Sequence, residues 1–239
     1  MEKIFFVNGR DKEEYLDKID KTKQMYNFLN SHDIYQFKKE PVFRKAVSFK
    51  GINFIDGFVI SFFLSLINLK KVSRYRGPIF TKEFFENKVG KNQKMFFIGL
   101  NKEDINNLLK KFPYLKKNNL FYYNPTYIKN IIFSKEEVGK MAKIINDKKI
   151  DYVWIGVGCP KQNILSYHLF LKTKKSSFFN VGAALDFLLE KKKESRGFIQ
   201  KIGLEWLYRL LTDFHHSKKK VWRSLIGSFF YLPFVVKLK

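Results

Sequence analysis

The stretch that decides the fold is Ile150–Gln162, which reads IDYVWIGVGCPKQ in one-letter code. It opens with β-branched and aromatic residues, a run that is typical of a buried parallel strand. Two glycines, a proline and a lysine follow at once and predict a tight turn leading into a helix. In open α/β sheets, ligands bind at the carboxyl ends of the strands, and the next helix offers unpaired N–H groups to anions. We therefore expect a site for an anionic, nucleotide-linked small molecule here.

Predicted strands and helices alternate on both sides of this stretch. Strands are predicted at 3–7, 52–55, 95–98, 119–123, 152–156 and 177–181. Helices are predicted at 11–29, 33–47, 58–69, 103–111, 135–146, 162–171 and 203–211. The alternation predicts an α/β, Rossmann-like fold, with a mainly parallel sheet and helices on both faces.

The C-terminal part of the chain differs in composition from the rest. Residues 191–239 contain twelve lysines and arginines against three acidic residues, with aromatic residues between them. Such a segment can lie in a bilayer interface, although a helix packed on the core with a solvated lysine face has the same composition. We therefore divide the chain into a catalytic core, residues 1–190, and a helical appendage, residues 191–239. We expect the appendage partly to cover the site and partly to bind a membrane.

The overall charge indicates a polyanionic partner. There are 46 basic and 22 acidic residues, which gives a net charge of +24, although a lysine-rich compositional bias would also raise it. Nucleotides, pyrophosphates, anionic lipids and nucleic acids all fit such a charge. No nucleic-acid-binding motif is recognisable, so we expect no nucleic acid partner, but a basic nucleic-acid-binding protein remains an alternative.

The cysteine content and the apolar runs bear on the compartment and on membrane insertion. A single cysteine, Cys159, excludes an intrachain disulfide and fits a reducing compartment. Charged residues near the start interrupt any signal sequence, and no apolar run reaches the ~18 residues of a spanning helix. We expect no membrane-spanning segment.

Three blocks of sequence resemble those of a known family. Gly156–Gln162 (GVGCPKQ) is similar to its G-x-G-x-P-K-Q-E block, and Val181–Phe187 (VGAALDF) to its V-G-A-x-F-D-F block. Gly203–Leu210 (GLEWLYRL) is similar to its G-L-E-W-L-Y-R-L block. In order and spacing they resemble the WecG/TagA/CpsF glycosyltransferase family, and the likeness extends over residues 30–225.

The resemblance implies a reaction and a location. It implies an inverting transfer of a sugar, N-acetylmannosamine-like or another hexose, from a UDP-sugar to a polyprenyl-diphosphate-linked acceptor sugar. The product belongs to a bacterial surface polysaccharide such as a capsule or teichoic acid. The protein is then peripheral on the anionic cytoplasmic face of the membrane, and homo-oligomerisation is left open. A catalytically inactive scaffold of a polysaccharide assembly complex is the alternative.

The resemblance also implies site residues. Asp56 matches the aspartate of a P-D-G-x-G block and is the expected catalytic base, although it also suits a cap for the helix beginning at Phe58. The expected substrate-binding residues are Asn30, Arg74, Gly156, Gly158, Lys161, Gln162, Asp186, Arg209 and Arg223. Gln162 also suits a helix cap, and Asp186 a structural role. The chain departs from the family pattern with Ile55, Ile79 and Asn163 at its proline, aspartate and glutamate positions.

We expect no metal and no other cofactor. The chain has no Asp-x-Asp pair of the kind that holds a divalent metal in many sugar transferases. The negative charge that develops on a departing diphosphate then needs fixed cations. Arg209 and Arg223 of the appendage are candidates, together with Arg74.

Overall fold

The structure is a computed structural model, which describes residues 2–19, 22–90, 92–125, 130–192 and 214–239. In this part of the chain a single sheet runs in the order β5-β4-β6-β7-β2-β3-β1-β8, and every neighbouring pair is parallel. The Rossmann-like α/β prediction is confirmed. The strands are β1 (Ile4–Val7), β2 (Met25–Leu29), β3 (Gly51–Ile55), β4 (Met95–Ile98), β5 (Leu120–Tyr123), β6 (Tyr152–Ile155), β7 (Ser177–Asn180) and β8 (Val236–Leu238).

The helices surround this sheet. They are α1 (Lys12–Leu16), α2 (Ser31–Lys39), α3 (Pro41–Ser48), α4 (Phe58–Ile67), α5 (Gly77–Asn87), α6 (Lys102–Lys111), α7 (Lys135–Asp147), α8 (Lys161–Lys172), α9 (Ala184–Leu188), α10 (Phe214–Ile226) and α11 (Leu232–Val235). A π-helical turn, Gly227–Tyr231, joins α10 to α11. None of the helices in the described ranges is both long and apolar enough to cross a bilayer.

Successive side chains of a strand point to opposite faces, and each face of this sheet packs on its own helices. In β6, Tyr152 and Trp154 face the side covered by α5, α6 and α9. Val153 and Ile155 face the side covered by α7 and α8. A third apolar cluster surrounds β1 and contains side chains of α2, α3, α4 and α11. Helices on both faces are therefore confirmed.

The predicted helix at residues 11–29 is wrong. Of the residues described there, Lys12–Leu16 form the α-helical part, and Met25–Leu29 is a strand buried between β3 and β7. A strand buried on both faces shows no alternation of polar and apolar residues, and the polar residues before it and Asn27 within it obscured the apolar run.

Two helices were misjudged in the same half of the chain. The predicted helix at 33–47 is broken at Glu40, because Pro41 begins α3 and the residue before a proline avoids the helical conformation. Helix α5 was not predicted, although its Pro78 occupies a position at the helix start that suits proline.

The described end of the appendage joins the core. Helix α10 packs on α2, and β8 pairs with β1, with Ile4 opposite Val236. No strand was predicted here, since three residues are too few for a pattern. The predicted helix at 203–211, the block at 203–210 and Arg209 lie outside the described residues.

Candidate functional site

The carboxyl ends of the parallel strands form one edge of the sheet, and the predicted site residues of the core lie along it or just after it. Strand β6 is followed by α8 on one face, whereas its neighbours β4 and β7 are followed by α6 and α9 on the other. Loops that diverge in this way open a crevice at the edge, the usual binding place in such sheets.

Asp56 follows β3 at this edge, and backbone groups fix its position. Its N–H donates to the Leu29 carbonyl at 2.9 Å, and its Oδ1 accepts from the Gly77 N–H at 3.2 Å. Gly77 is the first residue of α5, and a helix N-terminus favours a nearby negative charge. The residue that caps α4 is Gly57, without a side-chain bond, so Asp56 does not cap that helix.

Asn30 lies beside Asp56. It caps α2, with its side-chain oxygen accepting from the His32 N–H at 3.0 Å and its own N–H donating to Asp33 at 2.7 Å. A Cβ on Gly57 would lie 3.2 Å from the Asn30 Cα, so the ends of β2 and β3 touch. Asn30 and Asp56 therefore lie together. The side-chain oxygen of Asn30 is occupied in capping the N-terminus of α2.

Arg74 lies on the segment that leads into α5. The next residue, Tyr75, donates its N–H to the Ile55 carbonyl at 2.9 Å, which lays this segment along the end of β3. The Arg74 guanidinium lies 5.6 Å from the centre of the Phe58 ring. Arg74 is therefore within the same neighbourhood as Asp56 and Asn30.

The glycine-rich turn after β6 forms a second group. A Cβ on Gly156 would lie 3.1 Å from a Leu185 methyl carbon and 3.3 Å from the Gly182 carbonyl oxygen, so the loops after β6 and β7 touch. Gly158 has a φ of +83°, a conformation that favours glycine. Apart from the glycine itself and its chain neighbours, no heavy atom lies within 4 Å of where its Cβ would be. Lys161 begins α8 at the end of this turn.

The Gln162 side chain braces this turn. Its Oε1 accepts from the Gly158 N–H at 3.2 Å, and its Nε2 donates to the Asn180 carbonyl at 3.2 Å. The side chain is buried, and both polar atoms bind backbone groups. In this geometry Gln162 holds the loops after β6 and β7 together.

The remaining predicted residues lie on other elements. Asp186, in α9, forms ion pairs with Lys192 at 2.5 Å and Lys191 at 3.9 Å. Arg223, on α10, is exposed, and its guanidinium lies 5.6 Å from the centre of the Tyr35 ring of α2. Arg209 lies outside the described residues.

Two groups of predicted residues thus lie on one edge. Asn30, Asp56 and Arg74 surround the ends of β2 and β3, and Gly156, Gly158 and Lys161 follow β6. Strand β3 is three positions from β6, and neighbouring strands are ~4.8 Å apart, so the two groups are separated by roughly 14 Å. An extended nucleotide sugar can span such a distance.

Sequence reasoning missed two features of this site. The first is the contact between the Gly77 N–H and Asp56. The Gly-Pro pair at the start of α5 is the sequence signal that could have indicated a helix there. The second feature is a buried amide cluster below the edge, in which Asn27 donates to Asn53 at 2.9 Å and accepts from Asn163 at 2.8 Å and Asn180 at 2.7 Å. Asn163, which stands at the family's glutamate position, is thus a core residue that ties α8 to β2.

The described residues contain no group of three or more histidine, cysteine, aspartate or glutamate side chains arranged to hold a metal ion. An activity assay with and without divalent metal ions is the test of metal dependence.

Comparison with known proteins yields one family and a set of relatives. The profile of the glycosyl transferase WecG/TagA/CpsF family matches residues 5–238. An N-acetylglucosaminyldiphosphoundecaprenol N-acetyl-beta-D-mannosaminyltransferase of Staphylococcus aureus strain NCTC 8325 / PS 47 is 27% identical over 122 residues, 51% of this chain and 46% of that protein. The protein of the same name from strain MRSA252 is 32% identical over 75 residues, 30% of this chain and 29% of that protein. The matched segments thus span less than half of these relatives.

Proposed function

The chain belongs to the glycosyl transferase WecG/TagA/CpsF family, and on that premise we propose that it is an inverting glycosyltransferase. It moves a sugar, N-acetylmannosamine-like or another hexose, from a UDP-sugar to a polyprenyl-diphosphate-linked acceptor sugar of a bacterial surface polysaccharide. The observation that carries this proposal is the Asp56 carboxylate, held at the start of α5 beside Asn30 and three strands from the glycine-rich turn.

We infer the acceptor from the name of the Staphylococcus aureus relatives, which gives N-acetylglucosaminyldiphosphoundecaprenol as their substrate. We take the same lipid-linked sugar as the first acceptor for this chain. The donor is less constrained, because the chain departs from the family pattern at Ile55, Ile79 and Asn163.

In the proposed reaction Asp56 is the general base. The acceptor hydroxyl gives its proton to the carboxylate as its oxygen bonds to the anomeric carbon of the donor. The bond from that carbon to the diphosphate oxygen breaks, and the electron pair leaves with UDP, so one in-line displacement inverts the configuration. The Gly77 N–H holds one carboxylate oxygen and thereby orients the base.

Cationic side chains stabilise the departing diphosphate in this proposal. Arg74 lies over the ring of Phe58, two residues after Asp56, and Arg223 and Arg209 belong to the appendage. Fixed cations in a site that excludes water stabilise developing charge more strongly than solvent does. We propose that no divalent metal is needed, and activity that EDTA abolishes and Mg²⁺ or Mn²⁺ restores would contradict this.

The acceptor's polyprenyl chain resides in the bilayer, so the enzyme must work at its surface. We propose that it is peripheral on the anionic cytoplasmic face of the bacterial membrane. The basic and aromatic appendage supports this, because anionic lipids attract lysines near the surface.

The test is UDP release from a panel of UDP-sugars with a short-chain polyprenyl-diphosphate-GlcNAc acceptor. Asp56→Asn is the informative variant, because the amide oxygen still accepts the Gly77 N–H while the base is removed. We expect acceptor-dependent release by the native protein and a loss of about 10²–10⁴-fold in the variant, the usual contribution of a general base.

Asp151→Asn is the matched control. Asp151 precedes β6 at the opposite edge of the sheet, and its carboxylate accepts the Lys94 N–H at 2.8 Å. It makes the same kind of bond as Asp56, so Asp151→Asn should keep full activity. Equal activity in native protein and Asp56→Asn would remove Asp56 from the mechanism. No release with any donor and acceptor would favour the inactive scaffold.

A further inference from the structure

Helix α4 is apolar on its exposed side as well as on its buried side. Its ten residues include no charged side chain, and Phe62 and Leu66 are 61% and 62% exposed, followed by Leu69 at 92%. On the other side, Ile60 and Leu64 are fully buried in the cluster around β1. A helix that is apolar all round normally lies within a core or a membrane.

The exposed residues are contiguous. Phe58, Phe62 and Leu66 recur every four residues and so share one side of the helix, and the rings of Phe58 and Phe62 stack with their centres 6.2 Å apart. Ile67 and Leu69 extend this surface at the end of the helix. We call Phe58, Phe62, Leu66, Ile67 and Leu69 the α4 face. A continuous apolar patch of this kind marks an interaction site, unlike scattered single residues.

The rim of the α4 face is basic. Lys70 and Lys71 are exposed and follow Leu69 directly, and the Arg74 guanidinium lies over the Phe58 ring. Two copies of the chain meeting through this face would bring like charges together. An apolar centre with a cationic rim instead matches a bilayer interface that carries anionic headgroups.

The α4 face and a second exposed apolar surface are anchored in the same buried apolar cluster. Leu232 and Val235 of α11 are buried in the same cluster as Ile60 and Leu64. Phe229, Phe230 and Phe234, which flank them, are 60–75% exposed. Both elements are thus anchored to one core, in a protein whose net charge of +24 attracts anionic surfaces.

We propose that the α4 face inserts into the interface of an anionic bilayer and, with the appendage, docks the protein there. Helix α4 begins two residues after Asp56, so its insertion places the candidate base at the depth of the lipid headgroups, where an acceptor's diphosphate lies. The benefit to catalysis rests on the proposed function. Docking itself is measured without donor or acceptor, so either proposal can fail alone.

The test is sedimentation of the full chain with phosphatidylcholine vesicles that contain or lack phosphatidylglycerol. Phe62→Ser/Leu66→Ser should lower the partition coefficient on anionic vesicles by about 100-fold, the effect of removing two apolar side chains from a buried position. Leu171→Ser is a control, because Leu171 is 55% exposed near the distant end of α8. It should leave partitioning unchanged.

A second pair of variants, one at the basic rim and one control, tests the contribution of the rim. Lys70→Gln/Lys71→Gln should weaken binding to anionic vesicles by about 25-fold, roughly fivefold for each lysine, and hardly change the weak binding to neutral vesicles. Lys174→Gln/Lys175→Gln removes the same charge from an exposed pair in the turn before β7, at the opposite edge of the sheet. It should have a much smaller effect.

The following outcomes would overturn the proposal. In the first, the serine double variant binds anionic vesicles as the native protein does. In the second, Leu171→Ser weakens binding equally. In the third, the serine double variant changes the molar mass in solution from dimer to monomer and leaves vesicle binding intact, which would assign the α4 face to a contact between copies. The proposal also fails if a spin label attached through Leu66→Cys, in a Cys159→Ser background, shows no contact with lipid when vesicles are added.

Discussion

Gly227 is the point where the C-terminal segment crosses the first turn of α2. A Cβ added there would lie 2.1 Å from the Ser31 carbonyl oxygen and 3.1 Å from the Tyr35 backbone nitrogen. Real Cβ atoms essentially never approach closer than 3.0 Å. Gly227→Ala therefore forces the segment and α2 apart by about one ångström, and no side-chain rotation relieves the clash because both obstacles are backbone atoms.

The expected cost follows from this overlap. Forcing extra volume into a packed contact costs about 1–3 kcal/mol. For a chain of this size, each kcal/mol lowers the melting temperature by about 2–4 °C. We expect Gly227→Ala to melt several degrees lower than the native protein in a circular dichroism scan. Amide exchange in α2 and α10 should become faster.

Gly139→Ala is the matched control, since it makes the same chemical change in an open place. Gly139 lies inside α7, and apart from its chain neighbours and the backbone of its own helix nothing lies within 4 Å of where its Cβ would be. Alanine is a better helix former than glycine by about 0.8–1 kcal/mol, so this variant should be more stable. Equal shifts for the two variants, or native melting and exchange in Gly227→Ala, would refute the packing argument.

Two further predictions concern the core. Asn27→Ala removes the centre of the buried amide cluster, so the Asn53 Oδ1 and the Nδ2 groups of Asn163 and Asn180 each lose a hydrogen bond. It should lower the free energy of unfolding in urea by about 3 kcal/mol or more, whereas Asn92→Ala, at an exposed amide, should change it little. Burial, and then the hydrogen bond to Glu83, raises the pKa of Tyr75 above its usual 10.0. The unfolded chain releases this proton first, so native stability should decline above pH 10.0 more steeply than that of Tyr75→Phe, and equal slopes in pH-dependent denaturation would contradict this.

Strands β4 to β7 were predictable because each is an apolar run that stops at a glycine or a turn. Tyr152–Ile155 and Ser177–Asn180 are fully buried, and Gly156 and Gly182 follow close after them. In the first half, β2 was hidden because Asn27 interrupts its apolar run. That asparagine is satisfied only by amides that lie far away in sequence, so no local pattern revealed its burial.

The position of Asp56 was predictable, but its environment was not. The Asp-Gly pair after a predicted strand indicated the right place at the edge of the sheet. The contact with the Gly77 N–H joins residues 21 positions apart and depends on how the segment before α5 returns along β3. Gln162 shows the same limit, because its binding of the Asn180 carbonyl requires β6 and β7 to be neighbours.

The pairing of β1 with β8 has a consequence during synthesis. Strand β8, which covers the outer edge of β1, is made more than 200 residues after β1. At about 5–20 residues per second, a ribosome leaves that edge bare for roughly 10–50 s. An uncovered strand edge is a template for pairing with another nascent chain. Truncation before β8 would make this exposure permanent, so a shortened protein should tend to aggregate whatever the appendage does at a membrane.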